Sequence, residues 1–78
     1  SGNENSDLMN TCVSGMYTAM GMLDGEIPSE VVEMAECMCA GIVAAYPNAT
    51  SFEELDEVMT NDLELQMKIQ KDCMPTMP

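Results

Sequence analysis

Apolar side chains recur every three or four positions along most of the chain, which is the spacing of one face of an α-helix. The first series follows Ser6 or Asp7, either of which can cap a helix, and a turn is expected at residues 24–26. Gly15 and Gly21 interrupt this helix, and they either weaken it or let another helix approach closely. Its apolar positions are Met9, Cys12, Val13, Met16, Met20 and Leu23.

A second apolar series predicts a helix that begins at Ser29, a favourable N-cap residue. Glu30 and Glu33 lie in its first turn, where carboxylates interact favourably with the helix dipole. The helix is expected to end at Tyr46, because Pro47 disfavours helical geometry in the residue before it. The residues expected on its buried side are Val31, Met34, Ala35, Met38, Ile42 and Ala45.

A capping box predicts the start of a third helix. In this motif the Ser51 hydroxyl accepts a hydrogen bond from the Glu54 amide, and the Glu54 carboxylate accepts one from the Ser51 amide. One helix could run from here to Cys73, or residues 60–62 (Thr-Asn-Asp) could cap a fourth helix. We favour a break or bend at that point, with Pro75 ending the last helix. The apolar positions of this stretch are Phe52, Leu55, Met59, Leu63 and Met67.

These patterns together predict an all-α fold, a small bundle of three or four helices stapled by two disulfides. We expect a single helical domain over residues 6–74 and a C-terminal tail over residues 75–78. Residues 1–5 are polar and are expected to be a loose, disordered segment; their Ser-Gly start is typical of a cloning remnant or of a processed end.

The four cysteines are the most informative feature of so short a chain. A domain of 78 residues buries only about 60% of its unfolded surface, so cross-links add needed stability. On a helix, Cys37 and Cys39 point about 200° apart, so each is expected to meet a different neighbouring helix. A hairpin centred near residue 25 or 26 places Cys12 level with Cys39 and leaves Cys37 for Cys73.

Other pairings remain open on the sequence alone. The expected order is Cys12–Cys39 with Cys37–Cys73, then Cys12–Cys37 with Cys39–Cys73, and last a bridge between Cys37 and Cys39.

Thiol redox catalysis is disfavoured, because catalytic dithiols are usually C-x-x-C at a helix N-terminus. Here Cys37 lies within a helix beside carboxylates that disfavour the thiolate.

The amino-acid composition and the net charge exclude several classes of function. The chain has no His, which removes the usual general base and any Ser–His or Cys–His nucleophile pair, so we expect neither an enzyme nor a bound cofactor. Its net charge of −12 opposes nucleic acid and anionic lipid and favours a basic protein partner, while its many methionines would suit an apolar one. No apolar run approaches the roughly 20 residues that a membrane span needs, so no membrane insertion is expected.

The cysteine spacing and the segments between the cysteines resemble small exported bacterial helical domains with a C…C-x-C…C pattern and no known function. The matching residues are Cys12, Cys37, Cys39, Tyr46-Pro47, Ser51-Phe52-Glu53-Glu54-Leu55 and Cys73. The resemblance implies a periplasmic or secreted location and supplies no activity. The chain departs from that pattern in its ten methionines and its near lack of basic residues.

Three functional interpretations follow. The first is a non-catalytic binding or structural module, whose flexible methionines form an adaptable apolar groove. The second is a Cu(I) or soft-metal-binding protein, since thioethers and thiolates are soft ligands. Its candidate ligands are Met20, Met22, Cys37, Cys39, Cys73 and Met77. The third is an acid-stress periplasmic chaperone-like binder, whose Asp and Glu residues are neutralised near about pH 4.

Overall fold

The computed structural model describes residues 2–22 and 25–74, and these residues form an all-α fold without strands, as the sequence predicts. The tail expected at residues 75–78 lies outside the described residues, as do Leu23, the last apolar residue of the first series, and Asp24, the first residue of the expected turn. The helices are α1 (Gly2–Ala19), α2 (Ser29–Ala45), α3 (Phe52–Thr60) and α4 (Leu63–Cys73).

Helix α1 begins earlier than the sequence suggests. Its first residue is Gly2, so neither Ser6 nor Asp7 caps it, and residues 2–5 are helical where a loose segment is expected. These residues contain no proline. Once a helix is nucleated, each further residue adds a hydrogen bond at little cost, so nothing stops the helix at Ser6.

Helix α1 ends on a glycine in the left-handed conformation, since Gly21 has a φ of 75°. The Met22 amide donates to the Tyr17 carbonyl at 2.9 Å, and the Gly21 amide donates to the Thr18 carbonyl at 3.0 Å. This pair of hydrogen bonds is the Schellman motif. Gly21 therefore terminates the helix; it neither weakens its interior nor admits a neighbouring helix.

Helix α2 has the predicted end but not the predicted cap. Pro28, and not Ser29, occupies the N-cap position, without a side-chain capping bond. The Pro28 carbonyl accepts from the amides of Val31 and Val32 at 2.9 and 3.1 Å. Proline suits this place because its fixed φ is compatible with a helix start and its missing N–H loses no helical bond. Tyr46 is the C-cap, as the proline after it predicts.

The capping box of α3 is present with one variation. The Glu54 amide donates to Ser51 Oγ at 3.1 Å, as expected. The Glu54 carboxylate accepts from the Thr50 hydroxyl at 3.1 Å and from the Thr50 amide at 3.4 Å. The carboxylate thus reaches back one residue further than in the usual box, and it orders the loop before α3.

The predicted break near Asn61 is confirmed, and it produces a fourth helix. The Asp62 carboxylate accepts from the Leu65 amide at 3.0 Å and so caps α4. The Gln66 side-chain amide donates to the Met59 and Thr60 carbonyls at 2.8 and 3.0 Å. Gln66 therefore satisfies carbonyls that the end of α3 leaves free.

Helix α2 is the centre of the bundle, with α1 and α4 forming its largest contacts. The buried hydrophobic residues are Leu8, Cys12, Ala35, Cys39, Ile42, Val43, Leu55, Leu65 and Ile69. Ala45 is exposed although the sequence predicts it buried, and Val43 is buried instead. The buried side of α2 is centred on Ile42 and Val43 at this end of the helix, and Ala45 lies outside it.

None of the helices in the described part of the chain has the length and apolarity to cross a bilayer.

The break also changes which side of α4 is buried. Leu63 and Met67 continue the apolar spacing of α3, yet they are 68% and 61% exposed. Leu65 and Ile69 are buried instead, at 8% and 3%. The reason is that a new helix starts after Asp62, so the helical phase carried over from α3 no longer applies.

Candidate functional site

Two disulfides join the helices in the pairing that the sequence ranks first. Cys12 of α1 is bonded to Cys39 of α2 with a Cα–Cα distance of 5.8 Å, and Cys37 of α2 is bonded to Cys73 of α4 at 5.7 Å. The angular offset of about 200° between residues two apart on a helix is what sends the two sulfurs to opposite neighbours. Each bridge contributes about 2–4 kcal/mol to stability.

The two bridges differ in their surroundings. Cys12 and Cys39 are 1% and 0% exposed, whereas Cys37 and Cys73 are half-buried. Cys39 Sγ lies 3.4 Å from Met16 Sδ. A disulfide sulfur carries no proton, so this is a sulfur–sulfur packing contact and not a hydrogen bond. It covers the inner bridge from the side of α1.

An apolar groove runs across the face of the bundle. Its upper part, of about 260 Å³, lies between α1, α2 and α3, and its lower part, of about 350 Å³, lies between α3, α4 and α2. Both parts share Met38, Asp56 and Met59, so they form one continuous surface. We name it the methionine groove after the methionines that line it: Met16, Met20, Met38, Met59, Met67 and Met74.

The exposed large apolar side chains of the described residues all line this groove. They are Met20 at 39%, Leu63 at 68%, Met67 at 61% and Met74 at 39%. Contiguous apolar surface on a small domain marks an interaction site more often than chance exposure does. Methionine is unbranched and polarisable, so such a surface adapts to ligands of different shape.

Phe52 shapes the upper part of the groove. It is the first residue of α3, and its ring lies against Gly15 of α1. A Cβ at position 15 would overlap atoms of that ring, so glycine is what lets α1 and α3 approach. Of the two roles that the sequence leaves open for Gly15, close approach is therefore the one observed.

Helix α3 carries acidic side chains in the groove and on its exposed surface. Asp56 lies where the upper and lower parts meet, and Glu53 and Glu57 on the same helix are exposed. Together with the net charge of −12, these carboxylates favour the approach of a positively charged ligand and oppose a negatively charged one.

A polar pair lies beside the first turn of α4, where Leu63 and Gln66 line the lower part of the groove. The Tyr46 hydroxyl donates to the Asp62 carboxylate at 2.6 Å and so ties the end of α2 to the start of α4. This bond, with the Leu65 amide, holds the pKa of Asp62 below its usual value. The same bond, with desolvation, raises the pKa of Tyr46. Both shifts favour the state in which tyrosine is protonated and aspartate is ionised.

The soft-metal candidates are not brought together as a set. Cys37, Cys39 and Cys73 are all in disulfides and so provide no thiolate. Met20 lines the groove, and Met22 is half-buried beyond the end of α1. Met77 lies outside the described residues. Within the described chain, no group of three or more His, Cys, Asp or Glu could hold a metal ion. Soft-metal binding therefore stays a prediction about thioethers alone.

Sequence reasoning did not find Leu63 and Met74 as groove residues. For Leu63 the signal was available, because once α3 is broken at residue 61 the apolar residues on α4 fall on two faces. One face carries Leu65 and Ile69 and is buried; Leu63 and Met67 lie on the other. A short helix with two apolar faces leaves one of them uncovered when it packs on a single core, and on α4 the uncovered face forms part of the groove.

Comparisons of the chain with protein-family models, with curated proteins and with solved structures found no match. Function must therefore be argued from the geometry, burial and charge of the site itself.

Proposed function

We propose that this protein is a non-catalytic recognition module that binds an apolar segment of a basic protein partner in the methionine groove. The observation that carries the proposal is the gathering of the exposed large apolar side chains of the described residues onto one continuous surface. A groove between helices is the kind of surface that accepts an amphipathic helix through its apolar face.

Charge supports a basic partner. Asp56 lies at the centre of the groove, and the protein as a whole carries a charge of −12. A partner helix with one apolar face and flanking lysines would bury its apolar face against the methionines. Its lysines would then lie beside the carboxylates. Such complementarity raises association rates and excludes acidic competitors.

Two further features support a non-catalytic role outside the cytosol. The chain has no His and only two Lys, so proton transfer at neutral pH lacks its usual side chains. Both disulfides are of the kind that persists in oxidising compartments. A periplasmic or secreted location is therefore part of the proposal.

The test is a binding titration with synthetic helical peptides that share a leucine face and carry either lysine or glutamate on the other side. We expect the lysine peptide to bind and the glutamate peptide not to bind. Replacing Leu63 and Met67 together by Gln should weaken binding by about 10- to 100-fold, because two apolar contacts are lost. Both side chains are exposed, so each replacement should change stability by about 0.5 kcal/mol or less.

The matched control is the double replacement of Ala40 and Ala44 by Gln, at exposed positions of α2 that do not line the groove. This variant should bind the lysine peptide as the parent does. Equal weakening by both double variants, or failure of the lysine peptide to bind, would refute the proposal. Binding that appears only below about pH 4 would favour the acid-stress chaperone interpretation, since the carboxylates are then neutral and charge no longer attracts lysine.

A further inference from the structure

A second surface lies apart from the methionine groove over most of its extent. An open cleft of about 820 Å³ separates the first half of α2 from the last turn of α4. Both cysteines of the outer disulfide, Cys37 and Cys73, line this cleft, together with the carboxylate residues Glu30, Glu33 and Asp72. The outer disulfide therefore faces a space that a small molecule or a protein side chain can enter.

The inner disulfide is much less accessible, although Cys12 borders the upper part of the methionine groove. Cys12 and Cys39 are 1% and 0% exposed, and Met16 packs on the Cys39 sulfur. Thiol–disulfide exchange requires a thiolate to reach a disulfide sulfur, so its rate depends on access as well as on the chemistry of the thiol. Two disulfides in one small domain thus differ strongly in the factor that controls their reactivity.

We propose that Cys37–Cys73 is the exchange-reactive disulfide of this protein, and that the cleft between α2 and α4 admits cationic or neutral thiols and disfavours anionic ones. The co-reactant is a dithiol or a pair of monothiols. The attacking thiolate forms a mixed disulfide with one cysteine, and the other cysteine leaves as a thiolate and takes a proton from water. A second thiolate then displaces the first cysteine, giving two protein thiols and one oxidised external disulfide.

The charge preference follows from the lining. Glu30, Glu33 and Asp72 border the cleft, Glu36 directly precedes Cys37, and Lys71 is the one cationic residue among the lining residues. The excess negative charge repels an incoming anion over a distance of about one Debye length. The same carboxylates disfavour a cysteine thiolate, so the site accepts exchange from outside and is not a nucleophilic redox catalyst.

Opening the outer disulfide should release α4. This helix has 11 residues and buries only Leu65 and Ile69. An isolated helix as short as this is marginal in water. The bridge holds its last residue, Cys73, to α2. Release of α4 would remove Met67 and Met74 from the lower part of the groove. This consequence for binding rests on the proposed function, whereas the exchange selectivity does not.

The first experiment follows exchange on the intact, oxidised protein. Cysteamine, 2-mercaptoethanol and 2-mercaptoethanesulfonate would be compared at equal thiolate concentration, with free thiols alkylated in denaturant and mapped by mass spectrometry. We expect Cys37 and Cys73 to be alkylated at least about tenfold faster than Cys12 and Cys39. Relative to its rate with a small uncharged disulfide, the cationic thiol should react fastest and the anionic thiol slowest. These differences should shrink at 1 M salt, where the Debye length is about 3 Å.

Equal alkylation of all four cysteines, or earlier alkylation of Cys12 and Cys39, would overturn the assignment of the reactive bridge. A rate order of the three thiols that does not change with salt would overturn the role of the carboxylates. Neither readout involves a binding partner. Selective alkylation without any peptide binding would therefore refute the proposed function and leave this inference standing.

The second experiment measures amide hydrogen exchange after the outer bridge is opened. The double variant Cys37→Ser, Cys73→Ser should lose protection over residues 63–73 and keep it in α1 and α2. If that variant does not fold, wild-type protein reduced at the outer bridge and alkylated serves instead. Retained protection of α4 in either sample would show that the bridge does not hold this helix. Loss of α4 protection should be accompanied by weaker binding of the lysine peptide.

Discussion

Replacing Gly15 by alanine tests how closely α1 and α3 pack beside the groove. An added Cβ would overlap the ring of Phe52, so the ring or the start of α3 must move. Gly41 provides a matched control within α2. Its added Cβ would lie 3.3 Å from Ile69 Cγ1, a contact that a shift of a few tenths of an ångström relieves.

Two opposing effects determine how much Gly15→Ala changes the free energy of unfolding. In a helix interior, alanine is favoured over glycine by about 1 kcal/mol. Overpacking a well-packed site costs about 1–3 kcal/mol. Because Phe52 is only half-buried and its ring can partly move aside, we take the middle of that range. Gly15→Ala should then destabilise the protein by about 1 kcal/mol, which lowers the Tm by about 4–8 °C in a domain of this size. Gly41→Ala should be neutral or stabilising by up to about 1 kcal/mol.

The assay is urea unfolding of the disulfide-intact proteins, arranged as a double-mutant cycle with Phe52→Ala. Without the ring the clash is gone, so Gly15→Ala should become stabilising by about 1 kcal/mol, a reversal of sign. The coupling energy between the two sites should therefore be about 2 kcal/mol, within the range found for residues in contact.

Two results would refute this reasoning. Stabilisation of the parent by Gly15→Ala, to the same extent as by Gly41→Ala, would mean that α1 and α3 are further apart than the structure shows. A cost that is unchanged in the Phe52→Ala background would mean that the clash lies elsewhere. Either result would also remove Phe52 as the boundary of the upper groove.

Other predictions follow from the helix ends and the core. In urea unfolding, Leu65→Ala should cost about 2–5 kcal/mol because its side chain is buried. Leu63→Ala should cost about 0.5 kcal/mol or less. Equal losses of stability in the Leu65→Ala and Leu63→Ala variants would contradict a new helix after Asp62 that turns Leu65 towards the core. Gly21→Ala should lower stability by about 1 kcal/mol, because alanine is strained in the left-handed region that Gly21 occupies; an unchanged Tm would argue against the Schellman motif. The lowered pKa of Asp62 means that its bond with Tyr46 stabilises the fold above its ordinary pKa of 3.8, and that this contribution is lost as the pH falls through the lower folded value. The raised pKa of Tyr46 means a contribution that is present below its ordinary pKa of 10.0 and is lost as the pH rises through the higher folded value. The stability difference between the parent and Tyr46→Phe should therefore shrink at both extremes of pH, and a constant difference would contradict the bond.

The sequence by itself determined the features that depend on short stretches of chain. Helical spacing of apolar residues predicted the helices, Ser51 and Asp62 announced the starts of α3 and α4, and the residue before Pro47 ended α2. The sequence also ranked the observed disulfide pairing first, because any helix directs residues two apart, such as Cys37 and Cys39, to nearly opposite sides and so disfavours a bridge between them; the choice between the two remaining pairings stayed open. These are local constraints, and neighbouring elements do not need to be known to apply them.

Only the tertiary structure decided which surfaces meet. It buried Leu65 in place of Leu63, set the ring of Phe52 against Gly15, and used Gly21 as a helix end. It also joined methionines from all four helices into one groove, and it placed one disulfide half-buried beside a cleft and the other almost fully buried in the core. The physical reason is that burial is a property of pairs of elements: an apolar residue is core or binding surface according to whether another helix covers it, and its own sequence neighbourhood does not encode that outcome.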